Sequence, residues 1–278
     1  LLVQRLPKGL AYVVRVVEQP AVREVRLAGN EELSKDDFKD LLDIRPYSIL
    51  DYAAILRNQK KIQYKYNEKG HFLAEVRFEV VPVPDTAEVD IVFVIREHAK
   101  VQVKEINLLG VTKVPVSELK EVMLTKEGGF LSFFDNSGVY REEMFQRDLQ
   151  VVQTAYYDRG FINVKVEKPI VSLSADKRYI FISLKIEEGE PYGIGKLDFS
   201  GDLLISKEEM TVRMTSRAAQ IFNRSLLARD IQAISDVYYD QGYAYANITP
   251  VTAVNAEAKT IDLTFDVQKG EQVTIERI

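Results

Sequence analysis

The chain has 278 residues, 46% of them hydrophobic and 28% charged, which is an ordinary composition for a folded protein and enough length for two or three small domains. Its formal net charge of −5 excludes a global basic field that would hold nucleic acid or anionic lipid. The sequence contains no cysteine, which excludes disulfides and thiolate metal sites.

The first predicted element is a strand, "LAYVVRVVEQP", at residues 10–20. A further strand follows, then Ser34 at the start of a short helix, and then a long amphipathic helix that ends at Gly70. Two alternating strands joined by the polar turn "PDTAE" complete the unit, which is typical of a β-hairpin. Residues 20–99 therefore predict a β-α-α-β-β module.

The same order of elements recurs in residues 100–189 and in residues 190–269, with Ser117 and Ser206 at the starts of the short helices. We call the three repeats modules A, B and C in chain order. The predicted fold class is α+β, in tandem β-α-α-β-β modules that each pack two helices on a three-stranded mixed sheet. If the first strand pairs parallel to the last, the first strand of the hairpin lies at a free edge of the sheet.

The ends of the chain and one junction complete this organisation. Residues 1–19 match the last strand of a module and predict the C-terminal strand of a preceding one. Residues 270–278 match the first strands and predict the first strand of a following module. The junction "EGEPYGIG", residues 188–195, carries one proline and three glycines, which predicts a flexible hinge.

One hexapeptide marks the end of every long helix: "YYDRGF" in module B recurs as "YYDQGY" in module C and, more weakly, as "YNEKGH" in module A. A tyrosine stands four residues before each glycine, and apolar residues at helical spacing lead up to it. We predict a structural role, in which the tyrosine anchors the helix to the sheet and a left-handed glycine ends the helix. The pairs are Tyr66 and Gly70, Tyr156 and Gly160, and Tyr238 and Gly242.

The tandem β-α-α-β-β unit with a Tyr-x-x-x-Gly-aromatic exit resembles the polypeptide-transport-associated (POTRA) domain over essentially the whole chain. Arrays of this length are similar to those of BamA-type outer-membrane β-barrel assembly factors. The resemblance implies that modules A, B and C correspond to the second, third and fourth domains of such an array. It also implies a periplasmic location, with attachment to the outer membrane through a C-terminal barrel of the full-length chain.

The function that this resemblance implies is a non-enzymatic scaffold without cofactors. Such a scaffold docks unfolded outer-membrane β-barrel proteins and accessory outer-membrane lipoproteins by letting them add a strand to a sheet edge. The chain's own C-terminal barrel would be a further partner, and nucleic acid would not. Two alternatives remain open: the periplasmic arm of a secretion or translocation channel, of the two-partner secretion or translocation-assembly type, and a passive structural spacer.

The first candidate partner site is the predicted edge strand of module B, "FINVKVEKPIV". Its charges and its proline are typical of an edge that is protected against indiscriminate pairing. The candidate contact residues are Ile162, Asn163, Val164, Lys165, Val166 and Glu167. The edges of the flanking modules, 72–83 and 243–254, remain candidates, and the preference for module B comes from the resemblance.

The second candidate site is the segment between the two helices of module B, residues 126–138. Counted from serine to glycine, module B is seven residues longer here than its siblings. The segment contains Phe130, Phe133 and Phe134, which predict either an exposed loop that contacts a partner or client, or a loop that folds back on its own helices or the adjacent module.

Overall fold

The computed structural model describes residues 2–6, 9–13, 19–129 and 138–273, the first two ranges by their backbone alone. The chain divides into two compact units. One contains Leu1–Val101 with Tyr140–Glu142, and the other contains Gln102–Val139 with Glu143–Ile278. Modules B and C therefore belong almost entirely to the second unit. No helix within the described ranges is both long enough and apolar enough to cross a membrane.

The N-terminal segment forms an antiparallel pair of short strands, β1 (Leu2–Leu6) and β2 (Gly9–Val13). The sequence predicted a single strand over residues 10–20, so β1 was missed, and residues 14–18 of the predicted strand lie outside the described residues. Leu6 pairs with Gly9, which leaves a two-residue connection, and such short connections are typical of hairpins.

Module A contains three strands and two helices. They are β3 (Ala21–Ala28), a 3-10 helix (Lys35–Phe38), a long helix (Tyr52–Glu68), β4 (Glu75–Pro82) and β5 (Glu88–Arg96). The sheet order is β3-β5-β4, with β3 parallel and β4 antiparallel to β5, so the predicted topology and the predicted free edge are confirmed.

Modules B and C repeat this order. Module B contains β6 (Gln102–Leu109), helices Val116–Val122 and Glu142–Tyr157, then β7 (Lys165–Val166), β8 (Ile170–Leu173) and β9 (Tyr179–Glu187). Module C contains β10 (Gly193–Gly201), helices Lys207–Arg213 and Arg224–Tyr239, then β11 (Asn247–Asn255) and β12 (Thr260–Gln268). In both modules the first and last strands pair in parallel, and the hairpin strands pair antiparallel.

The short helices begin as predicted in two modules out of three. Ser34 and Ser206 are N-caps, and each forms a capping box with the acidic residue three positions on. The prediction at Ser117 was wrong, because the N-cap is Pro115 and Ser117 lies within the first helical turn. The fixed φ of proline suits a helix start, where a missing N–H leaves no bond unmade.

The long helices carry the core face that the sequence predicted. Its apolar residues are almost entirely buried, and each contributes about 1.5–3 kcal/mol by leaving water. They are Ile55, Ile62 and Tyr66 in module A, Phe145, Val152 and Tyr156 in module B, and Leu227, Ile234 and Tyr238 in module C. The three exit glycines have φ of +93°, +83° and +86°, which confirms the left-handed helix end.

Candidate functional site

The structure places the six candidate edge residues of module B in a turn, in the two-residue strand β7 and, for Glu167, in the segment after that strand. The first three, Ile162, Asn163 and Val164, lie in a tight turn after the long helix, closed by a hydrogen bond from the Val164 N–H to the Phe161 carbonyl (3.2 Å). The strand itself begins only at Lys165. The first three are therefore not strand residues, because the backbone uses these positions to turn from the helix into the sheet.

Two of these turn residues face apolar cores. Val164 is 5% exposed, and Ile162 packs against the hydrophobic core of module C. The amide of Asn163 lies 3.5 Å from the Tyr192 hydroxyl, at the start of module C. The turn thus contributes to the junction between two modules and leaves the strand that follows as the free edge.

The edge strand is interrupted by a β-bulge. Val166 pairs with Ile186 and Ile170 pairs with Ser183, so the three residues 167–169 stand opposite only two residues of β9. The extra residue shifts the register by one, and a shift of one moves the following side chains to the opposite face of the sheet. The bulge therefore makes β7 and β8 two separate short edges.

Two residues of β8 point their backbone groups away from the neighbouring strand. The Ser174 N–H donates to the Tyr179 carbonyl (2.8 Å), which fixes the phase of the ladder between β8 and β9. Because hydrogen-bonded residues alternate in an antiparallel pair, Val171 and Leu173 point their N–H and C=O groups away from β9. An extended segment that arrives at this edge can exchange hydrogen bonds with both residues.

The side chains of β8 are apolar and exposed. Ile170 is 70% exposed, and Val171 and Leu173 are each 38% exposed. The segment Ile170–Leu173 contains neither a charged residue nor a proline. It therefore lacks the two features that most often block pairing along an edge strand.

The other two modules have differently protected edges. In module A, β4 carries Glu75, Arg77 and Glu79 along its exposed face. In module C, β11 contains Pro250, and the half-strand after it is uncharged, with Val251 and Val254 each 54% exposed. That half-strand is the closest internal counterpart of β8.

Charged residues at the start of this edge pair with the neighbouring strand. Lys165 Nζ lies 3.5 Å from a Glu187 carboxylate oxygen, and Lys185 Nζ donates to Glu167 (2.6 Å). The hydrogen bond to Glu167 raises the pKa of Lys185. Lys165, Val166 and Glu167 thus form the charged start of the edge, with the uncharged stretch beyond the bulge.

The phenylalanine segment is described only at its ends. Phe130, Phe133 and Phe134 lie outside the described residues, so their predicted role stays a prediction. Gly128 N–H donates to the Val103 carbonyl and Val103 N–H donates to the Gly138 carbonyl, both at 2.7 Å.

These bonds correct the length of the insertion. In module A the same two bonds join Val22 to the adjacent residues Tyr47 and Ser48. Nine residues, 129–137, separate the equivalent pair in module B, whereas the sequence predicted seven extra residues. The difference arises because the short helix of module B is capped at Pro115, two residues before Ser117, from which the seven residues were counted.

The hexapeptide of module B takes part in the junction with module C. The Asp158 carboxylate accepts the Ser225 N–H (2.8 Å), and its carbonyl accepts the Asn223 side-chain amide (2.9 Å). The guanidinium of Arg224 lies 5.0 Å from the ring centre of Tyr157. A carboxylate at the N-terminal end of the long helix of module C also complements the helix dipole.

The segment predicted to be a flexible hinge is instead bonded on both sides. Tyr192 and Ile194 are each 3% exposed, and both belong to the core of module C. Tyr192 N–H donates to the Gly160 carbonyl (2.8 Å), while the Phe222 N–H donates to the Tyr192 carbonyl (3.0 Å). The prediction weighed proline and glycine content alone and missed the buried residues between them.

Glu188, the first residue of this segment, is a buried acid that accepts hydrogen bonds from several donors. It is 5% exposed and accepts hydrogen bonds from the Thr112 hydroxyl (2.7 Å), the Lys113 N–H (2.9 Å) and the Tyr156 hydroxyl (2.9 Å). Burial alone would raise the pKa of Glu188, but the hydrogen bonds, led by those from Thr112, outweigh burial and lower it. Burial, followed by this bond to Glu188, raises the pKa of Tyr156.

Sequence reasoning missed one buried polar residue in each long helix. Each stands three residues after the first apolar residue of the buried face, and its side chain accepts N–H groups from the segment after the short helix. They are Asn58, Asp148 and Asp230. Their recurrence at one helical position in all three repeats was a usable signal, since a polar residue on a core face needs a fixed partner.

Comparison with known proteins identifies the repeat. Residues 20–98, 101–189 and 192–270 each match the POTRA family, described as a surface antigen variable number repeat. The chain is 27% identical over 274 residues to outer membrane protein assembly factor BamA of Nitratidesulfovibrio vulgaris, covering 97% of this chain and 34% of the relative. It is 24% identical over 267 residues to a putative outer membrane protein assembly factor of Treponema pallidum, covering 95% of this chain and 31% of the relative. The chain thus spans about a third of the length of these relatives.

A solved structure has a similar fold. The crystal structure of Haemophilus influenzae BamA POTRA3-5 matches with a TM-score of 0.51 and 14% sequence identity, over 93% of this chain and all of that chain.

Proposed function

Because this chain belongs to the POTRA family, whose repeat matches three successive segments that make up most of its length, we propose that it acts in the periplasm in the assembly of outer-membrane β-barrel proteins. In this role it is a docking scaffold and not an enzyme. Unfolded outer-membrane proteins and accessory lipoproteins are its partners, and strand addition is the mode of contact.

The observation that carries the proposal is the edge of β8. Val171 and Leu173 combine outward-facing backbone groups with exposed apolar side chains, and no charge or proline interrupts them. Main-chain hydrogen bonds supply affinity that tolerates many client sequences, whereas apolar side chains at alternate positions favour the alternating pattern of a β-barrel strand. Lys165, Val166 and Glu167 form the charged approach to this edge, and we propose them as secondary contacts.

Proline substitution tests this edge without breaking the sheet. In Val171→Pro and Leu173→Pro the lost N–H is one that points away from β9, so the ladder of the module remains intact. Each lost donor is expected to weaken the binding of a client by roughly 0.5–1.5 kcal/mol. The measurement is photocrosslinking from a benzoylphenylalanine at Ser172 to an unfolded outer-membrane protein, with circular dichroism melts to verify folding.

Module C supplies the matched control. Thr252 and Val254 occupy the positions of Val171 and Leu173 in the uncharged half-strand of β11, so Thr252→Pro and Val254→Pro remove equivalent donors there. We expect the module C variants to retain crosslinking from Ser172. If the Val171→Pro and Leu173→Pro chains bind clients and lipoproteins like the parent, strand addition at β8 is wrong. Crosslinks confined to the module junctions would favour a passive spacer.

A further inference from the structure

A carboxylate of module B's own chain occupies the other free edge of its sheet. Glu127 accepts the backbone N–H of Ile106, in β6, at 2.8 Å. The same oxygen accepts a hydrogen bond from Lys120 Nζ at 2.7 Å. Burial alone would raise the pKa of Glu127, but the bonds from Lys120 and the Ile106 N–H lower it. One outward N–H of the edge strand and one cation thus form a carboxylate site.

Module A has the same strand geometry. Val22 in β3 and Val103 in β6 are equivalent, because each bonds to the loop after the short helix of its module. A β-bulge follows each of them, between Val22 and Glu24 in β3 and between Val103 and Glu105 in β6. Val25 therefore stands at the position of Ile106. Because the register is the same, its N–H points out of the same free edge.

Module A also retains the cation. Lys39 and Lys120 each stand five residues after the N-cap of their short helix. Across the described ranges of the chain, no carboxylate oxygen lies within 4.0 Å of Lys39 Nζ, whereas Lys120 is paired with Glu127.

Only the acid is missing from module A. In module B, Glu127 immediately precedes Gly128, whose N–H bonds to the first strand. Tyr47 makes the equivalent bond in module A, and the residue before it is Pro46. Proline has no carboxylate, so among the described residues the Val25 N–H and Lys39 have no internal partner of the kind that Glu127 provides in module B.

Module C has lost the cation as well as the acid. Thr211 stands five residues after the N-cap Ser206, and Ala218 precedes Ala219, which bonds to the first strand as Tyr47 does. Of the three modules, module A is therefore the one that has the lysine at this position without the acid.

An open groove of about 670 Å³ lies at this position in module A. One wall is the edge of β3 from Glu24 to Leu27, and the other is formed by residues from 35 to 46. Phe38, Leu42 and Ile44 contribute apolar residues to the lining. The charged lining has four cations and two acids: Arg26, Lys35, Lys39 and Arg45 against Glu24 and Asp40. Arg26 is already paired with Asp90 (2.6 Å) and Glu24 (3.1 Å), so the positive charge of the lining comes from the other three cations.

We propose that this groove binds an extended peptide segment through an acidic side chain, whose carboxylate accepts the Val25 N–H and pairs with Lys39. The occupant is a peptide because the groove is lined by four successive residues of an edge strand together with apolar residues, which suits an extended backbone with apolar side chains. A charge-assisted hydrogen bond to a backbone N–H is stronger than a neutral one, so the acid is the specific feature of the ligand. This proposal concerns a different module and a different edge from β8, and it does not rest on the proposed function.

The chain itself supplies the probe. The peptide "MLTKEGG", residues 123–129, contains Glu127 in its native context, and acetyl and amide ends remove the terminal charges. Added to the ¹⁵N-labelled chain at low salt, it is expected to shift the amide resonance of Val25 and its neighbours. The same peptide with Gln in place of Glu127 is expected to bind roughly tenfold more weakly, a difference that salt reduces. Equal binding of the two peptides, or no shift at Val25 with either, would overturn the proposal.

Substitutions in the chain test the same contact from the other side. Pro46→Glu supplies the missing acid in cis, so it is expected to abolish peptide binding, while Pro46→Gln leaves the groove available. Lys39→Met is expected to reduce the preference for Glu over Gln. Ala218→Glu places the same acid in module C beside Thr211 and should leave peptide binding to module A unchanged. If the Pro46→Glu chain binds the peptide like the parent, the ligand lies elsewhere and the assignment fails.

Discussion

At the scale of single residues, a few buried polar groups fix how segments of each module meet. In module B, Asp148 accepts the N–H groups of Leu124 (2.5 Å) and Thr125 (2.8 Å), which tethers the segment after the short helix to the long helix. Module A has Asn58 at this position, and its amide donates to Asp43. An amide suits this site because a second carboxylate beside Asp43 would bring two like charges together.

Glu188 supports a prediction at this scale. Glu188→Gln removes the charge and one acceptor oxygen while Thr112, Lys113 and Tyr156 still present their donors, so module B is expected to lose about 1.5–3 kcal/mol of unfolding free energy. Urea unfolding followed by far-UV circular dichroism measures the loss. Glu190→Gln is the matched control, since Glu190 is an exposed neighbour whose carboxylate pairs with Lys113 at the surface, and its midpoint should change little.

The same residue predicts a pH dependence. The pKa of Glu188 is lower in the folded chain than in the unfolded chain, so its contribution to stability is fully present above the usual glutamate pKa of about 4.3. That contribution is lost as the pH falls through the folded value. The difference in urea midpoint between the parent and Glu188→Gln should therefore be constant near neutrality and shrink below about pH 4.3. A difference that grew with acidity would contradict the assignment.

At the scale of elements, the exit glycine of module B has a second role that its equivalent in module C does not share. Both glycines are left-handed, but a Cβ at Gly160 would lie 2.6 Å from the Tyr192 carbonyl oxygen. At Gly242 the nearest atom would be the flexible Gln272 side chain, at 3.3 Å. The first clash is with backbone that cannot move without opening the junction.

This contrast gives a prediction for the pair of alanine variants. Gly242→Ala is expected to cost about 1–2 kcal/mol of stability in module C, the usual penalty for a side chain in the left-handed region. Gly160→Ala should cost module B more than this, because the clash with Tyr192 adds to the same backbone strain. Thermal melts of both variants make the comparison, and equal losses would show that the close approach to Tyr192 is unimportant.

The elements themselves follow largely from local sequence, and the exceptions have physical causes. Helical spacing and the glycine after it predicted the long helices and their buried faces, because both signals act within a few residues. The start of the edge strand and its bulge could not be predicted from alternation, since residues 161–173 read equally well as one continuous strand. The bulge depends on which residue of β9 each position faces, which is a long-range property.

At the scale of the whole molecule, the repeated hexapeptide is both a helix end and a joint. Tyr156 is fully buried and Gly160 has a left-handed backbone at the helix end, while Tyr157 and Asp158 contact the next module. A helix end does not require those two residues, so their presence in both strong copies of the hexapeptide could have indicated a second role beyond ending the helix. The contact surface itself could not be inferred from one module, because it involves Asn223, which lies 65 positions further along the chain from Asp158.

The joint predicts that modules B and C keep a fixed mutual arrangement. Since the sequence has no cysteine, spin labels can be attached at Glu121→Cys and Arg229→Cys alone, both exposed helical positions. Double electron–electron resonance should give one narrow distance distribution for the parent. Replacing Tyr157 and Asp158 together by alanine should broaden it, because the ring contact with Arg224 and the helix-capping carboxylate are both lost.

The matched control replaces the same two residues of the hexapeptide in module C. Tyr239 and Asp240 are the equivalents of Tyr157 and Asp158 in module C, so replacing them by alanine should leave the distribution between modules B and C narrow. A distribution already broad in the parent would contradict a fixed joint. If the joint is fixed, the β8 edge keeps a constant orientation to module C, and a client strand bound there extends along a direction that module C defines. Loosening the joint should then reduce transfer of clients more than it reduces their binding.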